Sequence, residues 1–383
     1  MNNIEVSKKF AYIEPYSIES KGIQKNSIDL TEGNPTKFLL SKSENIKLNL
    51  TRIYSYKPNP HGLKIVRKKI KTYYEVKNRK IKIEDLFLTT GTSESISFIF
   101  KVFCNPNDTI LLPSPAYPIF EYLSDFENIN FNYYKLIYNK EGAWEIDFEY
   151  LNTLFTKKVK ILILVNPNNP TGSVLDKAQI IKLEEILIRN NVLLIIDEVF
   201  IDYNHLPSDN FRFNFKIPSI YLNGISKSFG LPGLKIGWIL LNGPVEFKNK
   251  IKPYFEIICD SYLSVSIPSQ LIAIDIFQKE IKRQKKIKKI ILNNFKEVNK
   301  VVYNNIFLKP FKIHFGWYLP IIVNTSISID KFTEYLLKEE NVKVYSGNLF
   351  HFSNEKIIVI SLLNTKKNIQ NGLKRIIKFI SSF

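Results

Sequence analysis

Through the middle of the chain, short apolar runs alternate with stretches in which apolar residues recur every three or four positions. The runs cover residues 110–112, 160–165, 192–196, 220–222 and 236–241. They are strand-length and continuous rather than alternating, which is the pattern of strands buried on both faces. Residues 118–126 and 177–190 read as helices between them. In the second, Ile180, Leu183, Ile186 and Leu187 fall on one face. Buried strands separated by helices predict a mainly parallel sheet covered on both sides, with ligands bound beyond the carboxyl ends of its strands. A long helical stretch over 266–303 then leads into mixed strands and helices from about residue 309. The pattern divides the chain into an arm (1–30), a large unit (31–265) and a linking helix with a smaller unit (266–383). The arm is expected to belong to the smaller unit or to a partner subunit. Internal repeats are absent.

Composition changes this picture little. With 383 residues and 45% hydrophobic content, both units have enough apolar surface for a core. The net charge of +18 raises the question of a polyanionic partner. The excess is spread along the chain and is nearly all lysine, with only seven arginines, the residue suited to bidentate contacts with phosphates and base edges. The densest basic run, residues 282–289, reads as the solvated face of a helix, so no nucleic-acid partner is expected. Cys104 and Cys259 are far apart and lack metal-site spacing, which fits a reduced, cytoplasmic protein without a metal. Residues 1–5 lack an apolar signal core, and no run approaches the ~20 residues of a membrane span.

Candidate chemistry follows directly after the buried runs. Asn166-Pro167-Asn168-Asn169-Pro170-Thr171-Gly172 comes after one of them, and its two prolines hold the asparagines at defined positions. Asp197 ends the run 192–196. It either caps a following helix or faces a bound cation. Lys227 lies in Gly224-Ile225-Ser226-Lys227-Ser228-Phe229-Gly230, where small neighbours permit close approach of a ligand. A lysine there is either an ordinary surface residue or a desolvated amine fit for Schiff-base chemistry.

The order Asn169, Asp197, Lys227, with 30 positions between the last two, resembles that of the fold-type I, class I/II aminotransferases, which use pyridoxal 5′-phosphate (PLP). The resemblance covers nearly the whole chain. It begins at Asp29-Leu30-Thr31-Glu32-Gly33-Asn34-Pro35 and takes in residues 56–62, Thr90-Gly91-Thr92-Ser93-Glu94 and Pro113-Ser114-Pro115-Ala116-Tyr117-Pro118. It implies an α/β fold: a large domain with a mainly parallel seven-stranded sheet flanked by helices, and a smaller α+β C-terminal domain. It also implies that Lys227 holds PLP as a Schiff base and moves protons. By the same resemblance Asp197 pairs with the pyridine nitrogen, Asn169 bonds the ring hydroxyl oxygen and Tyr117 stacks on the ring. Gly91, Thr92 and Ser93 receive the phosphate at a helix N-terminus. Ser226 and Lys235 add phosphate contacts. Tyr56 reaches the phosphate of a neighbouring subunit, which implies a homodimer with shared sites.

Several positions depart from the family pattern. Phe200 stands where tyrosine is usual, Lys235 where arginine is usual, and Gly224 where serine or threonine is common. The largest departure is in Ile357-Ile358-Val359-Ile360-Ser361, where Val359 occupies the place of the arginine that holds the substrate α-carboxylate. Losing such a charge-assisted pair costs about 1.5–3 kcal/mol. Lys356, Asn34, Trp317 or the arm are the candidates to replace it, though Lys356 is expected to face the other way. The expected function is transfer of an amino group between an amino acid or amine and a keto acid. The alternative is another PLP reaction on an amino acid: decarboxylation, elimination or oxidation.

Overall fold

A computed structural model describes residues 7, 27–39, 57–205, 214–263, 265–352 and 356–381. In chain order, β1 (Ile28–Asp29), α1 (Thr36–Leu39) and α2 (Lys64–Glu75) are followed by β2 (Leu86–Thr89) and α3 (Thr92–Phe103). Next come β3 (Thr109–Ser114), α4 (Ile119–Phe126), β4 (Asn130–Tyr138), β5 (Trp144–Ile146), α5 (Phe148–Thr153), β6 (Val159–Val165) and α6 (Lys177–Asn190). The centre continues with β7 (Leu193–Asp197), β8 (Ser219–Gly224), α7 (Ile225–Ser228), β9 (Gly237–Asn242), α8 (Val245–Ser261) and α9 (Ile267–Val301). The last part holds β10 (Leu308–Pro310), β11 (Tyr318–Val323), α10 (Ile329–Glu340), β12 (Val342–Lys343), β13 (Tyr345–Ser346), β14 (Ile357–Ser361) and α11 (Lys366–Ile380).

The large sheet runs β2-β9-β8-β7-β6-β3-β4-β5. Strands β4, β3, β6, β7 and β8 are mutually parallel, and β9 runs against both β8 and β2. The expected seven strands are joined by an eighth, the three-residue β5, which closes an antiparallel hairpin with the end of β4. Only β4 and β5, at the sheet edge, break the continuous apolar pattern, which is why the periodicity did not reveal them.

The parallel strands are apolar on both faces because each face supplies a core. Leu111, Leu162, Leu164, Leu194, Ile196 and Tyr221 pack in one cluster. Their chain neighbours Ile110, Ile161, Ile163, Ile195, Ile220 and Leu222 pack in the other. Helix α6 has its start set by a capping box, in which the Asp176 side chain accepts from Gln179 N and the Gln179 side chain accepts from Asp176 N.

The second sheet is small and antiparallel, ordered β10-β11-β14-β13. One face, with Leu319, Ile321, Ile358 and Ile360, buries against residues of α9, α10 and α11. The other carries Ile357 and Val359 into a separate aromatic cluster with Phe311, Phe350 and Phe352. Strand β1 pairs in parallel with β12, so residues 28–29 join this C-terminal part; most of the arm lies outside the described residues. Backbone bonds dock the small sheet's loops on the strand ends of the large one. Ala116 N donates to Phe350 O, Phe315 N to Gly172 O and Gly316 N to Tyr203 O. The two sheets thus meet where the parallel strands terminate.

Candidate active site

Most sequence-predicted site residues among the described ones lie just beyond the carboxyl end of a strand; Lys235 instead precedes the start of β9. Tyr117 follows β3, Asn169 follows β6, Asp197 closes β7, and Ser226 and Lys227 follow β8. Gly91 lies between the end of β2 and the start of α3. In a parallel sheet all these ends open on one edge, so short local motifs far apart in sequence converge there.

The Asn-Pro turn separates its asparagines by role. Asn166 Oδ1 accepts from Leu175 N at 3.1 Å. Asn168 Oδ1 accepts from Thr171 Oγ1 at 2.8 Å, and its Nδ2 donates to Pro115 O at 3.2 Å. These two hold the turn. Asn169 does not take part, and its Oδ1 is buried without a partner. A buried, unpaired amide oxygen is costly. Rotation of the amide exchanges donor and acceptor, so Asn169 is available to a bound group of either kind.

Asp197 is buried, and its Oδ1 accepts from Val199 N at 3.1 Å. Burial pushes its carboxyl up to about 6; Glu198 pushes the same way, while the Val199 amide and Lys227 pull it down. Lys227 keeps some surface open to the crevice, but its amine is enclosed by protein, 5.4 Å from the Trp317 ring centroid. Burial lowers its basicity against the opposing pull of Asp197. Each charge is therefore disfavoured by the same dry environment. A cation supplied to Asp197, or conversion of the Lys227 amine to a less basic group, relieves it.

The Lys227 turn is held through its main chain. Tyr203 Oη donates to Lys227 O at 2.7 Å and to Ser228 O at 3.1 Å, and Arg283 Nε donates to Phe229 O at 2.8 Å. The motif reading missed Tyr203 and Arg283, which lie 24 and 56 positions from Lys227 and carry no local signal. Trp317, noted as a possible carboxylate partner, presents its ring to the lysine and packs edge-on against Phe200 at 4.9 Å. Phe200 is buried in the apolar cluster of the C-terminal part, which suits a ring without a hydroxyl.

At α3, Gly91 has φ of 157° and ψ of 170°, a conformation reserved for glycine. A Cβ built on it would meet nothing within 4 Å, so open space adjoins the helix N-terminus. Gly237 of β9 has the opposite role, since its Cβ would lie 2.8 Å from the Gly91 carbonyl carbon. Its hydrogen lets β9 approach. Thr92 is partly buried and Ser93 exposed; Glu94 accepts from Thr90 N at 2.7 Å, bracing the turn. Tyr117 is 38% exposed at the mouth, 6.3 Å from the Phe350 ring. Lys235 is exposed, with a left-handed φ of 50°, and takes no part in the buried cluster. Tyr56 lies outside the described residues.

Val359 is fully buried, opposite Pro320 on one side and Tyr345 on the other. Its surroundings are Phe311, Phe350, Phe352, Tyr318 and Tyr345. Lys356 is tied to Thr325 O and is not a substitute cation there. Asn34 accepts from Thr36 N and Oγ1. Arg67, Arg79, Arg189, Arg283 and Arg375 all donate to other groups. Among the described residues there is no cluster of His, Cys, Asp and Glu able to hold a metal, and no helix long and apolar enough to cross a membrane.

The sequence pattern of the family described as "Aminotransferase class I and II" matches residues 25–376. The chain belongs to the class I and II aminotransferases. It is 25% identical over 361 residues to an aspartate aminotransferase of Sulfurisphaera tokodaii, spanning 88% of this chain and 85% of that one. It is 34% identical over 169 residues to the S-alkyl-thiohydroximate lyase SUR1 of Arabidopsis thaliana, a match to 43% of this chain and 36% of the lyase. Its fold superposes on the alanine aminotransferase of Pyrococcus furiosus with a TM-score of 0.88 at 22% identity, covering 99% of this chain and 100% of the other. Aminotransferases of this family depend on PLP.

Proposed function

We propose that this chain is a PLP-dependent aminotransferase that moves an amino group between an amino acid or amine and a keto acid. The observation that carries the reading is the Asp197–Lys227 pair, an acid and an amine both made less willing to ionise by the crevice that holds them. The residues present fit the cofactor. Asp197 offers a carboxylate to a ring nitrogen. Asn169 has a buried amide oxygen without a partner, and the open space beside Gly91 adjoins helix amides suited to a phosphate. Thr92, Ser93 and Ser226 would add hydroxyls there, with Lys235 an outer charge. Tyr117 would cover one face of the ring.

Bound PLP supplies an electron sink for the pair left at substrate Cα. The chain supplies the rest. Lys227 Nζ, with its basicity lowered, takes and returns the proton at Cα. Asp197 holds positive charge at the ring nitrogen. The Asn-Pro turn and the Tyr203 and Arg283 bonds keep these groups in register. We place the division between the two domains near residue 265, where α9 begins.

A second reading, another PLP reaction on an amino acid, draws on Val359. The carboxylate contact decides which Cα bond is broken, and at that position the protein offers a buried apolar cluster. The similarity to a lyase over 43% of the chain agrees with it. Mixing the PLP-loaded protein with amino acids and amines separates the readings. Amino transfer converts absorbance at about 420 nm to about 330 nm, and a keto acid reverses the change. Carbon dioxide release, oxygen uptake or an irreversible change with the best substrate would establish the second reading.

The assembly we propose is a homodimer. The end of α8 and the residues after it expose Tyr254, Ile257, Tyr262 and Leu263, each more than half accessible. Large apolar side chains exposed this close together along the chain support a contact with a second copy. Sedimentation equilibrium is expected to give the mass of two chains, and Ile257→Asp is expected to yield monomers; a monomeric wild type at micromolar concentration would reject the assembly.

A further inference from the structure

The residue after Asp197 carries a second carboxylate, and Glu198 is only 2% exposed. Arg79 Nη1 donates to Glu198 Oε2 at 2.8 Å. Tyr74 Oη donates to Oε1 at 2.6 Å and accepts from Trp238 Nε1 at 2.9 Å. Arg79 Nε donates to Asn214 Oδ1 at 2.9 Å, and its guanidinium lies 4.2 Å from the Tyr221 ring centroid. Burial works against the Arg79 charge, and Glu198, together with Tyr221 and Tyr74, more than restores it. Tyr73 and Tyr221 complete the groups close enough to feel Glu198, whereas Asp197 feels Glu198, Lys227 and the Val199 amide.

A buried ion pair is a poor source of stability, because desolvation offsets most of its attraction. Its place next to Asp197 gives it another use. We infer that Arg79 is a positioning residue for the Asp197 charge: its guanidinium neutralises Glu198, so that Asp197 remains an anion towards a cation in the crevice. The inference rests on the reading of Asp197 proposed above. With Arg79 present, the pair adjoining Asp197 carries no net charge. Without it, the unneutralised Glu198 carboxylate next to Asp197 favours the protonated form of Asp197. At the acid end of the range Asp197 then keeps its proton and the cation loses its counter-charge, which returns as pH rises and the proton leaves.

The test compares Arg79→Met, Arg79→Lys and the double variant Arg79→Met/Glu198→Gln with wild type. PLP affinity by equilibrium dialysis and the pH midpoint of the bound cofactor's absorbance are read from pH 6 to 9. Infrared carboxyl bands are read on the cofactor-free proteins. In Arg79→Met the PLP dissociation constant is expected to exceed that of wild type by about tenfold at the acid end of that range, the excess closing towards pH 9, a displacement of one pH unit in the Asp197 titration. A protonated-carboxyl band is expected to persist at neutral pH. Arg79→Lys keeps the charge and the wild-type profile. The double variant, neutral at both positions, recovers profile and affinity. A wild-type profile in Arg79→Met, or a defect that survives in the double variant, would overturn the inference, since the arginine then acts by packing alone. Failure of wild type to bind PLP would instead sink the functional reading, and the infrared bands would still report whether Arg79 sets the carboxylate charge.

Discussion

Replacing Lys227 with alanine lowers turnover by about 10⁴-fold or more while the fold persists. In the proposed function the amine would take and return the Cα proton, a task worth about 10²–10⁴ by itself, and would also be the covalent anchor of the cofactor. Both losses act on one step. The fold survives because the bonds around the turn reach main-chain carbonyls: Tyr203 to Lys227 O and Ser228 O, Arg283 to Phe229 O. Alanine retains those carbonyls and removes an amine whose charge burial disfavours. The expected record is a thermal midpoint close to wild type, PLP bound without the absorbance of a Schiff base, and no measurable amino transfer. Turnover within tenfold of wild type would remove Lys227 from the mechanism.

Asp197→Asn has the second largest effect, a fall of about 10²–10³ in kcat/KM, as expected when one partner of a buried charge pair is removed. Asparagine keeps the oxygen that accepts from Val199 N, so the loss is charge rather than shape. The substitution also has a signature in stability. Asp197 in the folded chain holds its proton up to about 6, above the usual carboxylate value. Between the unfolded and folded values the folded chain binds a proton that the unfolded chain releases. The stabilisation linked to this group is therefore complete below about pH 4 and is lost as pH rises through 6, a change on the order of 3 kcal/mol. Cofactor-free wild type is expected to lose denaturant stability relative to Asp197→Asn between pH 4.5 and 7.5. PLP is expected to return stability to wild type and much less to the variant. Parallel pH curves for the two cofactor-free proteins would refute the role of burial.

The buried strands β3, β6, β7, β8 and β9 were legible because their apolar runs are continuous, and the motifs near them are short, rich in Pro, Gly and Asn, and bound to turn geometry; the four-residue β2, though buried, was too short to be read. Asn169, Asp197 and Lys227 could be read for the same reason, since each follows a strand whose end is marked. The short β5 and the exposed positions of β4 gave no such signal, because an edge hairpin is half solvated. Tyr203, Arg283 and Arg79 were not readable as site residues. Their partners are main-chain carbonyls or a carboxylate more than 20 positions away, and a tyrosine or arginine at the right distance looks like any other.

Sequence alone therefore determined the parallel sheet, the family resemblance and the acid–amine couple, all of which depend on local pattern and order along the chain. Tertiary structure alone decided how those groups are charged. Asp197 and Lys227 are shifted by desolvation, a property of everything packed around them. Glu198 is balanced by an arginine 119 positions away, and Val359 is enclosed by aromatic rings from several segments. Burial sums over the whole fold, so it is absent from any short stretch of sequence.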